Sequence, residues 1–334
     1  MLPYTPPPLP PAAIAKKGLQ RVGNLTAVGL LCFEAIGAVI VAAGGALTYF
    51  FFGEDAENLS FLIMFAGNGL AAFLALHCIF SGLMKPLGCR DAVGKAFGKP
   101  AGTWLMLCAV LVGFALAMCS DLLTNGLMWI FDQFGLQATA PEIEPTTWSG
   151  VNIAMFVVQV AISPALLEEF AFRGVMMQSL RRYGDGFAIV ASALVFGVFH
   201  GNLVQAPFAF MLGLVMGYLA IATGSIWTAV LIHFANNLNS VLLSVYQQSA
   251  GEEALGRVYW AELIIALLAG ALALVFFLGD KNRKSLSPPP IGVPKKGRMK
   301  TFLATPVMIV LFVLLVVNAL ITMFLPDIIS KLPS

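Results

Sequence analysis

Nine apolar runs of about twenty residues each, separated by short gaps that hold most of the charge, leave this chain few ways to fold. They fall at 25–52, 60–84, 102–131, 149–177, 187–201, 204–223, 225–247, 258–279 and 303–325. A helix of about twenty residues spans roughly 30 Å, the thickness of the hydrocarbon layer. Strands of an outer-membrane barrel alternate apolar and polar residues over roughly ten positions, a pattern these continuous runs lack. With 59% hydrophobic and only 11% charged residues, a water-facing globule is excluded as well. The expected fold is an all-α polytopic transmembrane bundle of about eight or nine spans. The fifth run is short and suits a half-span or a tilted helix.

Charge in the gaps sets the orientation. If the N-terminus is cytoplasmic, the inner segments hold 16 of the 19 basic residues: Lys16, Lys17 and Arg21; Lys85, Arg90, Lys95 and Lys99; Arg181 and Arg182; and the seven between 280 and 301. The outer loops are acidic, with Glu54, Asp55, Glu57, Glu142, Glu144, Glu252 and Glu253. Residues 1–24 read as a proline-rich basic cytoplasmic tail. Residues 25–148 hold the N-terminal spans, 149–248 a core of helices with unusual polar content, and 249–279 one more span. A basic, proline-rich linker at 280–302 then leads to a last helix at 303–334, read as an appendage. The N-terminus lacks the layout of a cleavable signal. No disulfide is expected of Cys32, Cys78, Cys89, Cys108 and Cys119, which lie in spans or on the inner side. No phosphate loop, HExxH or dinucleotide fingerprint appears, and no nucleic-acid partner is expected. The minimal loops and the lack of organelle-retention signals point to a prokaryotic plasma membrane.

One run departs from the apolar rule. Ser163 to Gly174, SPALLEEFAFRG, puts Glu168, Glu169 and Arg173 inside a segment long enough to cross the bilayer. A charge at that depth costs roughly 2.5–3.5 kcal/mol even on the lenient insertion scale, so three of them need partners or a task. Glu169 and Arg173, four apart, share a helix face and suit an ion pair, whereas Glu168 is turned about 100° away and stays available. Pro164 removes a backbone hydrogen bond and predicts a kink beside the carboxylates.

Two of the chain's three histidines follow in the same core. FGVFHG places His200 four residues after Phe196, and GSIWTAVLIHFANN places His233 and Asn237 four apart on one helix face. Glu168 and His200 each lie thirteen residues, about 20 Å, from the RRYGDG turn joining their helices, so the two can face each other. Asn236 reads as packing or support. Glu34, Asp121 and Glu262 are further acids in spans without an assigned partner, and His77 is expected near the inner end of the second span.

These three motifs, EExxxR (Glu168, Glu169, Arg173), FxxxH (Phe196, His200) and HxxxN (His233, Asn237), resemble those of the CPBP intramembrane proteases. That family includes the CAAX prenyl endopeptidases and the bacteriocin-processing and self-immunity proteins. The resemblance covers about 149–248 and extends to Phe172–Gly174 and to Gly224, Ser225 and Trp227. It implies an intramembrane glutamic endopeptidase in which Glu168 and His200 hold and activate a water. His233 and Asn237 would steady the oxyanion, while Glu169 and Arg173 support the site. The implied partners are the lipid bilayer and a membrane-associated peptide or protein, including prenylated CAAX-type substrates. The chemistry fits the residue types: a desolvated carboxylate suits general-base work, an imidazole orients the same water, and amide or ring N–H groups stabilise an oxyanion.

Other readings of the same residues stay open. A non-catalytic member of the fold would act as a membrane scaffold or as a bacteriocin self-immunity protein. A proton-coupled carrier would use the buried acids and histidines, but predicts two similar halves with broken helices, which the sequence lacks. No cofactor is expected. Zinc on two histidines and two glutamates is the alternative, disfavoured by the missing HExxH and by Arg173 beside Glu169.

Overall fold

In the computed structural model the described residues are 12–53, 66–134, 144–145, 147–289 and 295–330, with side chains as far as 321. They form helices without strands, a polytopic bundle of an integral membrane protein. We number the helices α1 (Ala12–Phe52), α2 (Asn68–Leu87), α3 (Arg90–Ala96), α4 (Thr103–Gln133), α5 (Gly150–Tyr183), α6 (Asp185–Phe199), α7 (Gln205–Thr223), α8 (Trp227–Ala250), α9 (Glu252–Gly279), α10 (Arg298–Leu303) and α11 (Pro306–Ser330). Seven of these, α1, α2, α4, α5, α7, α8 and α9, are long and apolar enough to span by themselves. The expected short fifth span is α6, and it is short for a physical reason. Ala188, Ile189, Ala191, Ser192, Ala193, Val195, Phe196 and Gly197 are all buried, so α6 faces protein on most sides and has little lipid to cross.

The loops assigned to the inner side lie together and are stitched to one another. Ala101 N donates to Thr223 O at 2.9 Å, Ile226 N to Ala96 O at 2.8 Å and Lys284 N to Ala222 O at 2.8 Å. Ser225 Oγ donates to Gly98 O at 2.7 Å. Several of the basic residues that mark this side also hold it together. Arg182 Nη2 donates to Leu87 O at 3.0 Å, closing the end of α2. Arg181 forks onto Asp185 at 2.8 and 3.3 Å, and Asp185 Oδ2 also accepts from Ser287 N at 2.9 Å. Between α5 and α6 the chain reverses at Gly184, whose φ of 109° only glycine adopts without strain.

Three details differ from the sequence reading. The segment read as a cytoplasmic tail is helical from Ala12, because Ala15, Leu19 and Val22 recur at helical spacing and bury against the bundle. The last helix is no appendage: Met308 and Leu311 are fully buried against α1 and α6, and Asn318 Nδ2 donates to Gly201 O at 3.0 Å. His77 sits at the middle of α2, about 15 Å from its inner end, because α2 runs on to Leu87; its ring lies 4.5 Å from that of Phe170. All five cysteines are free. Glu54, Asp55, Glu57, Glu142, residues 1–11 and Lys331 lie outside the described residues.

Candidate functional site

The irregular backbone of α5 positions the site. Its turns widen to the i→i+5 pattern twice, at Val157–Ile162 and at Phe170–Met176, on either side of the regular turns Ser163–Glu169 that carry both glutamates. The first widening follows from sequence. Pro164 has no N–H for the carbonyl of Val160, four residues before it, and Asn237 Nδ2 of α8 donates to that carbonyl at 2.8 Å. In the second widening Gln178 Nε2 donates to Arg173 O, five residues back, at 3.1 Å.

Glu169 is the hub of the polar centre. Its Oε1 accepts from Arg173 Nη1 at 2.7 Å, the pair expected from their spacing, and from His233 Nδ1 at 2.9 Å across 64 residues of sequence. Both Glu169 and Arg173 are fully buried. Gly213 of α7 leaves room for the guanidinium: a Cβ there would lie 3.2 Å from Arg173 Nη2 and 3.0 Å from the Ala193 Cβ.

Phe196 gathers the remaining groups. The Arg173 guanidinium lies over its ring at 4.2 Å from the centroid, while the His200 and His233 rings lie 4.9 and 6.1 Å from it between centroids, both nearly perpendicular. The sequence reading valued Phe196 only as a landmark for His200. Its place under Arg173 is a contribution that a cation over an aromatic face explains and that spacing alone does not reveal.

Each histidine is held in a defined orientation. His200 Nδ1 lies 2.8 Å from the carbonyl of Phe196; a carbonyl only accepts, so Nδ1 carries the proton and Nε2 presents a lone pair. The turn after His200 is fixed by Asn202, whose Nδ2 donates to His200 O at 3.0 Å and whose Oδ1 accepts from Gln205 N at 2.8 Å. His233 is held by its Nδ1 on Glu169, which leaves its Nε2 for other work.

Glu168 is buried, with Oε2 lacking a hydrogen-bond partner, and Glu169 Oε2, Arg173 Nε and Arg173 Nη2 are buried in the same condition. Glu168 is close enough to feel the charges of His233, Glu169 and Arg173, and His200 those of His233 and Arg173. No hydrogen bond joins Glu168 to His200. Asn237 has one amide hydrogen committed to Val160 and its Oδ1 accepting from Asn236 at 3.1 Å, so one N–H is left over. Asn236 thus supports Asn237.

The remaining span acids behave differently. Asp121 has partners after all, Tyr259 Oη at 2.8 Å and Asn125 Nδ2 at 3.2 Å, whereas Glu34 is on the exposed face of α1 and Glu262 is half-buried. Among the described residues no three or more His, Cys, Asp or Glu side chains gather as a ligand set, and Glu169 and His233 already bond each other beside a guanidinium.

Part of this core resembles known proteins in sequence. Residues 150–239 match the family described as type II CAAX prenyl endopeptidase Rce1-like. A relative, the membrane-embedded CAAX protease MroQ of Staphylococcus aureus (strain USA300), is 26% identical over 151 residues. The match covers 43% of this chain and 60% of that protein's length. No solved structure matches.

Proposed function

We propose that this chain, whose α5–α8 core resembles the type II CAAX prenyl endopeptidases and through them the CPBP proteases, is an intramembrane endopeptidase of the glutamic type. The observation that carries this reading is the meeting of three separate motifs around one ring, with Glu169 bonding His233 across 64 residues and both histidines packed against Phe196. Such convergence of polar groups inside a membrane is unfavourable unless it serves a task.

In this reading Glu168 takes a proton from a water that His200 orients through its Nε2 lone pair. The resulting hydroxide adds to the scissile carbonyl, and Glu168 returns the proton to the leaving amine nitrogen as the C–N bond breaks, so water is consumed and an acid and an amine are released. The free N–H of Asn237 and a protonated Nε2 of His233 face the developing oxyanion. His233 can hold that second proton because Glu169 accepts from its Nδ1–H and serves as counter-ion, so Glu169 acts as a positioning residue as well as the partner of Arg173. The mechanism uses no metal. The substrate is a membrane-tethered peptide or protein, with prenylated CAAX-type chains one class to test.

The test is proteolysis in liposomes by wild type and Glu168→Gln on prenylated and unprenylated tethered peptides, with folding of both proteins checked. Loss of about 10²–10⁴-fold in rate is expected for the variant. Undiminished cleavage by Glu168→Gln would overturn the assignment. If folded wild type cleaves nothing across the panel, the scaffold or self-immunity role becomes the better reading. Activity is expected to survive exhaustive chelation; loss reversed only by zinc would replace the glutamate mechanism.

A further inference from the structure

A second feature lies far from the polar centre, at the basic end of the bundle. A cavity of about 360 Å³ opens where the start of α1 meets the end of α5 and the start of α10. Its lining mixes apolar residues, Leu19 among them, with the exposed Lys16 and Lys296, the half-buried Arg298 and the hydroxyl-bearing Tyr183 and Thr301. Tyr183 is fifteen residues along α5 from Glu168, roughly 20 Å, so this cavity is separate from the candidate active site.

Its charge is unbalanced. Among the described residues no carboxylate forms an ion pair with Lys16, Lys296 or Arg298. Asp185, the nearest acid in sequence to Tyr183, is taken by Arg181 and by Ser287 N. Arg298 is half-buried, donating Nη1 to Tyr183 O and Nε to Lys295 O, with its guanidinium 5.3 Å from the centre of the Phe187 ring. Those bonds fix the guanidinium in place and leave Nη2 to donate elsewhere. Partly burying a cation without an acid is costly, and that burial lowers the pKa of Arg298. An anion with tetrahedral oxygens would offset the cost, since guanidinium and ammonium groups recognise phosphate by charge and hydrogen bonding.

We propose that this cavity binds a phosphate-bearing anion, with Lys16, Lys296 and Arg298 as its ligands. The shared chemistry has two sources, a phospholipid headgroup or free phosphate. The apolar residues in the lining, Leu19 among them, and the position at the end of the spans favour a lipid, as basic pockets between transmembrane helices commonly bind anionic headgroups.

The experiment uses the full-length protein in a zwitterionic detergent and measures binding of short-chain phosphatidylglycerol, phosphatidylcholine and inorganic phosphate. Wild type is compared with Lys16→Ser/Lys296→Ser and with a control, Lys99→Ser/Lys281→Ser, which removes the same charge from equally exposed lysines that do not line the cavity. Arg298 is left intact because it ties α10 to α5. Lys16→Ser/Lys296→Ser is expected to weaken phosphatidylglycerol binding by at least about tenfold, with the control near wild type. If inorganic phosphate binds with the same sensitivity to the substitutions, the ligand is the free anion and the pocket stands. Equal weakening by both double variants, or no binding of either anion by wild type, would overturn the proposal.

Discussion

Helices α5 and α9 are both long enough to cross a membrane, yet they are built in opposite ways. Helix α9 runs regularly for 28 residues and packs on α4 through small residues: a Cβ at Gly270 would fall 2.4 Å from the Ala115 Cβ. Most of its large apolar residues, among them Ile264, Ile265, Leu268, Leu272 and Val275, are exposed, as suits a lipid-facing surface. Helix α5 is widened twice, carries Glu168, Glu169 and Arg173 at its buried middle, and takes side-chain donors for its backbone from Asn237 of α8 and from its own Gln178. In α9 the apolar pattern and close packing are sufficient. In α5 each departure from regular geometry is matched by a polar side chain that satisfies it, and one of these, Asn237, belongs to the candidate site.

The strongest way to sharpen this contrast is to remove the guanidinium. Arg173→Leu leaves Glu169 buried and without its cation, at an expected cost of about 3–5 kcal/mol in stability. Replacing both partners, as Glu169→Leu/Arg173→Leu, should recover much of that loss in thermal unfolding, because no uncompensated charge remains. It should not restore proteolysis, since His233 loses the carboxylate that orients it. A double variant as active as wild type would show that the pair serves packing alone and that α5 is no more specialised than α9.

A smaller effect is expected in α9. Gly270→Leu inserts a side chain where even a methyl group collides with Ala115, and overpacking of this kind costs about 1–3 kcal/mol. The loss should appear as a lower unfolding temperature with residual activity per folded molecule unchanged, because α9 contributes none of the groups around Phe196. Loss of turnover in the folded variant would mean that the α4–α9 pair does more than support the bundle.

How much of this was legible in the sequence depended on distance along the chain. The spans, the short sixth helix of the bundle and the Glu169–Arg173 pair follow from apolar run length and from i,i+4 spacing, both local properties. The Glu169–His233 bond and the meeting of Arg173, His200 and His233 on Phe196 join residues on three helices, and spacing carries no signal for such contacts. The packing of α11 was missed for a different reason. Apolar side chains are required both against lipid and against protein, so hydropathy cannot separate an exposed Val313 from a buried Leu311. Basic residues concentrate in the loops assigned to the inner side, but nothing in their composition distinguishes Arg182, which closes α2, from the exposed Lys281.

The smallest expected effect tests whether the first widening of α5 and Asn237 are truly linked. In wild type, Asn237→Ala removes the donor that Val160 O receives in place of the absent Pro164 N–H, a loss of about 1 kcal/mol. In a Pro164→Ala background the restored N–H at position 164 can bond Val160 O directly, so the same Asn237→Ala change should cost less. The two substitutions should therefore be non-additive in thermal or denaturant unfolding, with a coupling of about 0.5–1 kcal/mol. Additive losses would mean that Asn237 and the proline act independently, and that the irregularity of α5 does not arise from the exchange of a backbone donor for a side-chain one.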